Sequence, residues 1–176
     1  MFKFRKKVDP EIEEYKRKSN ESELRFKEWL DKHNIPYMYI QQDIETFSLV
    51  FKKYSSGKRP DFIVLIPHFG LIFVDVKYKK INKEFKTFPF DSDETKKYSR
   101  LQREFNLHIW YVLSNEDYDY KTWFWIPVSK ILEEGIPKYV SKKSQSDFFA
   151  VPPTKFTQIS EDDSLDRLFS KLLIEK

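Results

Sequence analysis

The chain has 176 residues, 40% apolar and 34% charged, with a net charge of +4 and a pI near 9.0. That length and balance describe one globular domain with a substantial core, not a disordered chain, and the basic lean is compatible with a polyanionic partner without demonstrating one. There are no cysteines, which excludes disulfides, thiolate metal sites and cysteine nucleophiles. No apolar stretch reaches membrane-spanning length or forms a secretory leader, so a cytoplasmic location and no membrane partner are expected.

Residues 1–8 interleave Lys3, Arg5, Lys6 and Lys7 with Phe2 and Phe4, either a basic arm that touches phosphates or a solvated terminus. Asp9-Pro10 predicts an N-cap with proline at the first helical position, opening a polar helix to about residue 18. A stronger helix is expected over about 20–33, capped by Ser19 or Asn20, with Leu24, Phe26, Trp29 and Leu30 on its apolar face. Glu23, Phe26 and Leu30 fall at i, i+3 and i+7, so Glu23 lies on or beside the buried stripe. It is either a first-turn glutamate favoured by the helix dipole or a site residue. Asn34-Ile35-Pro36 ends this helix. Tyr37–Gln41 alternates as a strand, Thr46–Phe51 reads as either a strand or a short helix, and Ser55-Ser56-Gly57 is a loop.

The centre of the chain is residues 59–80. Two apolar runs, Phe62–Ile66 and Leu71–Val76, flank the breaker Pro67-His68-Phe69-Gly70, which predicts two antiparallel strands joined by a tight connection. Asp61 opens the first strand. Asp75 and Lys77 close the second, and residues two apart share a strand face. Charges placed beside so much apolar surface are costly unless they pair or bind a metal. The basic connection 78–91 carries Lys79, Lys80, Lys83 and Lys86, and Pro89 argues against regular structure late in it. A helix from Ser92 or Asp93 to about Asn106 turns Tyr98, Leu101, Gln102 and Phe105 inward, with Lys96, Lys97, Arg100 and Arg103 on other faces. His108–Leu113 and Thr122–Ile126 read as a hairpin across Ser114–Tyr118. Val128–Glu134 reads as a short helix ended by Gly135, and 136–158 as loops and short extended pieces. Ser160 caps a last amphipathic helix with Leu165, Leu168, Phe169, Leu172 and Leu173.

The chemistry narrows by elimination. With glycine only at 57, 70 and 135, no phosphate-cradling loop, dinucleotide fingerprint or nucleophile elbow is present. His33, His68 and His108 lack ligand spacing. Carboxylates with one lysine remain. Two converging aspartates make a hard oxygen site suited to Mg²⁺, with Mn²⁺ as a substitute, and an adjacent ammonium can offset charge developing on a phosphate.

Pro60-Asp61, 13 residues, then Asp75-Val76-Lys77 resembles the signature of the PD-(D/E)xK nuclease superfamily, which includes type II restriction endonucleases, archaeal Holliday junction resolvases and transposon end-cleaving nucleases. The order of predicted elements from about 19 to 113 resembles that superfamily's core. The stretch Glu23 to Asn34 resembles the first helix of its resolvase-like members. The resemblance implies an α/β restriction endonuclease-like core, a mixed central sheet flanked by helices in the order αβββαβ, with a C-terminal extension. The resemblance covers about 19–113; the chain as a whole is read as an arm and polar helix (1–18), a nuclease-like core (19–126) and an extension packed on the same domain (127–176). The resemblance implies that Asp61 and Asp75 bind metal with the Val76 carbonyl, that Glu23 is a ligand or acts through water, and that Lys77 positions the attacking water. Tyr98 and Gln102 resemble polar residues that some members place on the following helix; they read equally as a core aromatic and a partly buried amide. The expected function is Mg²⁺-dependent endonucleolytic hydrolysis of DNA, by a homodimer or within a larger nuclease or transposition complex. Lys79, Lys80, Lys97 and Arg100 either grip its phosphates or form a solvated face. Because the Lys77 stem offers only modest packing, its removal is expected to spare the fold. Two alternatives stand beside this: a solvated cross-strand ion pair at the centre, and a non-catalytic nucleic-acid-binding or assembly subunit on the same fold.

Overall fold

A computed structural model describes residues 9–41, 48, 50, 52–53, 58–67, 69–133, 136–141 and 145–170. The two central runs pair as read: β2 (Phe62–Ile66) lies antiparallel to β3 (Gly70–Lys77), from Phe62 opposite Val74 to Ile66 opposite Gly70. Gly70 has φ +117°, a conformation side chains with a Cβ rarely adopt, which is why glycine closes the connection. In β2, Phe62, Val64 and Ile66 are buried while Leu65 is exposed, the period-two signature of a strand with one covered face.

The covering element is α1 (Pro10–Lys32). It is one helix of 23 residues, not the two expected. Asp9 caps it by accepting the Glu11 N–H at 3.0 Å. Ser19 and Asn20 sit inside it, because an interior Ser or Asn costs only about 0.5 kcal/mol, which the i,i+4 pairs Glu14–Lys18 (3.3 Å) and Arg17–Glu21 (4.0 Å) help offset. Only its second half is packed: Ser22, Phe26, Trp29 and Leu30 are buried. Leu24, expected on the apolar face, is exposed. Asn34, at φ 53°, turns the chain into β1 (Tyr37–Tyr39), which pairs with β2. Within the stretch left open between strand and helix, Lys52 N–H bonds the Ser48 carbonyl at 3.1 Å, a helical turn. The predicted loop 55–57, the arm 1–8, His68, Gly135 and Leu172–Leu173 lie outside the described residues.

After β3 the chain forms β4 (Phe88–Asp91), α2 (Ser92–Phe105) and β5 (Ile109–Leu113), and β5 returns parallel to β3. Asp91, one residue earlier than expected, caps α2 by accepting the Glu94 N–H at 2.8 Å. Phe105, expected inward, is exposed. The hairpin partner β6 (Thr122–Pro127) follows, then α3 (Val128–Ile131), β7 (Lys138–Val140), β8 (Asp147–Val151), β9 (Thr157–Ser160) and α4 (Arg167–Ser170). The main sheet has the order β1-β2-β3-β5-β6-β9, and a second sheet has the order β4-β8-β7. Pro89 therefore does stand in a strand. β4 is an edge, and an edge strand tolerates a residue without an N–H. Ser160 ends β9 instead of capping a helix.

The result is layered. On one face, α1 packs Phe26, Trp29 and Leu30 onto Val64, Val74, Val112, Trp123 and Trp125. On the other, α2 and the second sheet pack Tyr98, Leu101, Phe90 and Phe149 onto Ile109, Tyr111 and Phe124. Each fully buried aromatic or aliphatic side chain contributes about 1.5–3 kcal/mol, so β3 and β5, covered on both faces, form the rigid base for whatever their ends carry. Among the described residues no helix is long and apolar enough to cross a membrane.

Candidate active site

The strand register creates the constellation. Asp61 stands one residue before the Phe62–Val74 pair that ends the β2–β3 ladder, donates its N–H to the Val74 carbonyl at 2.9 Å, and lines the same cleft as Asp75. Ile72, Val74 and Val76 belong to the α1 side, so Asp75 and Lys77, their alternates in β3, project toward α2. Asp61 is 8% exposed and Asp75 3%, a depth at which ionised carboxylates require partners.

Those partners are specific. Asp61 Oδ2 accepts the Val76 N–H at 2.8 Å, tying the end of β2 to that of β3. Asp75 Oδ1 accepts the Tyr98 hydroxyl of α2 at 2.9 Å. Asp75 Oδ2 has no aligned hydrogen bond, and the Lys77 ammonium lies 2.5 Å from it. Lys77 Nζ also donates to Glu94 Oε1 at 3.0 Å, an oxygen shared with Lys58 Nζ at 3.0 Å. Glu23, half-buried on α1, accepts the Tyr39 hydroxyl at 3.0 Å.

The electrostatics are asymmetric. Burial pushes the Asp61 carboxyl well above the usual range, and the charges of Asp75 and Glu23 add to the push. Burial also raises Asp75, against the pull of Lys77. Glu23 is raised by burial, against its bond from Tyr39. For Lys77, burial opposes the charge, but Asp75 and Glu94 outweigh it and hold the ammonium well above the ordinary lysine value. Burial would raise Glu94 too, yet Lys77 and Lys58 bring it down to about 2. At neutral pH Lys77 is therefore a cation that can only donate, beside carboxylates that repel one another.

These groups line a cleft of about 490 Å³ together with Ser19, Tyr15, Lys58, Arg59, Val76 and Lys79. Of the cations expected to meet phosphates, Lys79 alone among Lys79, Lys80, Lys97 and Arg100 lines it. Lys80 turns to Glu116 at 2.8 Å, and Lys97 pairs with Asp93 at 2.6 Å along α2. Arg100 is exposed on α2. Gln102 has a structural bond: its Oε1 accepts the Ile109 N–H at 2.9 Å, fixing the start of β5. Tyr98, by contrast, touches Asp75 directly.

Glu94, Lys58 and Arg59 escaped the sequence reading. Glu94 looked like any acidic residue of a helical first turn. The spacing Asp91-x-x-Glu94, a capping-box pattern, marked the helix start and so its approach to the strand ends. Lys58 and Arg59 close a stretch without periodicity, where only adjacency to Asp61 signalled anything.

Among the described residues, no three His, Asp or Glu side chains are gathered into a ready metal cage; Glu23 lines the cleft with Asp61 and Asp75. The donor set still suits a hard divalent cation. It is all oxygen, it holds mutually repelling buried carboxylates, and the buried Asp75 Oδ2 has only a cation beside it.

No protein-family model matches the chain, and no curated protein matches it in sequence. Solved structures do. A nuclease from a fusselovirus superposes with a TM-score of 0.50 at 11% identity, covering 88% of this chain and 90% of that one. The Holliday junction resolvase Hjc of the archaeal hyperthermophile Archaeoglobus fulgidus gives a TM-score of 0.44 at 13% identity, over 74% of this chain and 87% of that one. At such identities a likeness speaks of architecture, and with the helix-flanked mixed sheet it shows that this chain has the restriction endonuclease-like fold.

Proposed function

We propose that the chain is a Mg²⁺-dependent endonuclease that hydrolyses DNA phosphodiester bonds at the cleft of Asp61, Asp75 and Lys77. The observation that carries this reading is the gathering, at the ends of β2 and β3, of two buried carboxylates and an ammonium held against one of them, in a cleft also lined by Lys58, Arg59 and Lys79. A solvated ion pair would need none of that burial, and a pure binding surface would gain nothing from anions placed where phosphates come. The solved neighbour from a fusselovirus is described as a nuclease, which is consistent with the reading.

Asp61, Asp75 and the Val76 carbonyl would hold the cation, with Glu23 reaching it through water. Bound there, a divalent cation lowers the pKa of water and offsets phosphate charge. The protein's residues have distinct tasks. Tyr98 holds Asp75 from one side and Val76 N–H holds Asp61 from the other, so neither carboxylate has to reorganise. Lys77, fixed as an ammonium by Asp75 and Glu94, donates to the attacking water or to a non-bridging phosphate oxygen. Glu94 is a positioning residue that keeps Lys77 between two anions. Lys58, Arg59 and Lys79 offer cations to the flanking phosphates. The test is conversion of supercoiled plasmid to nicked and linear forms by the purified chain with Mg²⁺ but not with EDTA. Intact plasmid under both conditions contradicts the proposal.

A further inference from the structure

The wall of the cleft contributed by α1 is unlike its floor. Tyr15, Ser19 and Glu23, at i, i+4 and i+8, run down one side of the helix and all line the cleft. None of residues 10–21 is buried, so this half of α1 keeps much of its surface open to the cleft and to solvent. On it, Tyr15 keeps 47% of its surface exposed. Its ring is nonetheless oriented. It meets Tyr78 edge-to-face at 6.0 Å and 75°, and Tyr78 is 7% exposed, with its hydroxyl donated to Glu116 at 2.9 Å. Lys18 lies over the Tyr78 ring at 5.4 Å and is itself bonded to Glu116 at 3.0 Å. The contact therefore holds Tyr15 without covering it.

An exposed aromatic needs no explanation when it stands alone on a surface. This one faces a polar cleft whose lining also holds Lys58, Arg59 and Lys79. Oriented aromatic faces beside cations are how proteins hold single strands: the cations track the backbone and the ring stacks a base, whatever its identity. A base inside a duplex has both faces occupied and reaches such a ring only after unstacking.

We infer that Tyr15 is a base-stacking platform, and that the cleft takes DNA carrying an unpaired nucleotide beside the phosphate to be cut. This rests on the nuclease reading above and names its substrate class. Ser19 and the unpacked half of α1 then form a wall along which a single strand passes, and the cut falls where paired and unpaired DNA meet.

The test uses the full chain in EDTA, so that binding is read without cleavage. The probes are a continuous duplex and the same duplex with a short gap that carries 2-aminopurine, whose fluorescence falls on stacking. Wild type is expected to bind the gapped probe at least tenfold more tightly and to quench it. Tyr15→Ala should lose roughly tenfold or more on the gapped probe, change less than twofold on the duplex, and abolish the quench. Tyr15→Phe should restore both, which a merely structural hydroxyl contact would not predict. Equal affinity for the two probes, or equal losses on both in Tyr15→Ala, overturns the inference while leaving plasmid nicking to stand. Absence of any DNA affinity in wild type overturns the nuclease reading with it.

Discussion

Replacing Asp61 by Asn should make the protein more stable while removing its activity. Asp61 is buried, and its carboxyl is pushed up by burial, then by Asp75 and Glu23. A folded-state pKa raised above the unfolded value means that the charged form is less welcome in the fold than in the open chain. Above the folded pKa the wild type carries this penalty in full. As pH falls toward the unfolded value of a free aspartate the penalty disappears. Asn retains an oxygen for the Val76 N–H, now 2.8 Å from Asp61 Oδ2, and carries no charge to be repelled by Asp75 and Glu23. A single stabilising substitution commonly yields about 0.5–2 kcal/mol, or a Tm rise of roughly 1–8 °C in a chain of this length. The assay is thermal unfolding of both proteins from pH 7.5 down to pH 4, in EDTA. The Asn variant should lead at pH 7.5, and the gap should close with acid. Adding Mg²⁺ should raise the Tm of wild type and not of the variant, by mass action on the native state. A variant less stable than wild type at neutral pH, or a gap independent of pH, would refute the electrostatic account of the cleft.

Lys77→Ala should abolish cleavage, and the structure also changes what is expected of its stability. With its ammonium between Asp75 and Glu94, its loss leaves buried anions unpaired and should cost about 3 kcal/mol by denaturant unfolding, where the sequence suggested little effect. Tyr98→Phe removes the bond to Asp75 Oδ1 and should cost about 2 kcal/mol with roughly a tenfold fall in single-turnover cleavage. Glu94 has a carboxyl lowered to about 2, so its pairing contributes stability that is fully present above its unfolded value and is lost as pH falls through the folded one. Glu94→Gln should flatten that acid limb. If Lys58, Arg59 and Lys79 each meet a phosphate, DNA affinity should fall about 40-fold between 50 and 200 mM salt, and a flat response in fluorescence anisotropy would count against them.

The centre of this fold was legible because its signals are local. The β2 and β3 runs, the Gly70 turn and the two-residue spacing of Asp75 and Lys77 all follow from strand periodicity. The approach of Asp61 to the Asp75 end of β3 follows from pairing those strands with Phe62 opposite Val74. What stayed hidden depends on distance in sequence. Glu94 gains its meaning from Lys77, 17 residues earlier, and only folding brings them to 3.0 Å. β4 was masked by Pro89, whose objection to a strand disappears at an edge, and edges are set by the partner β8, some 60 residues on. The join of the two N-terminal helices was missed because Ser19 and Asn20 are good caps, while their modest helical cost is partly offset by the ion pairs around them. The acidic partner that folding places beside Lys80, Glu116, is 36 residues away in sequence.

The most direct measurement pairs cleavage with metal binding in three proteins: wild type, Asp75→Asn and Lys77→Ala, each at a temperature where circular dichroism shows it folded. Plasmid cleavage and calorimetric titration with Mg²⁺ are read on the same preparations. Wild type should cut DNA and bind Mg²⁺. Asp75→Asn should do neither, having lost a charged ligand. Lys77→Ala should bind Mg²⁺ and leave the plasmid intact. A Lys77→Ala protein that cuts at the wild-type rate, or an Asp75→Asn protein that binds Mg²⁺ as tightly as wild type, would contradict the assignment of this cleft.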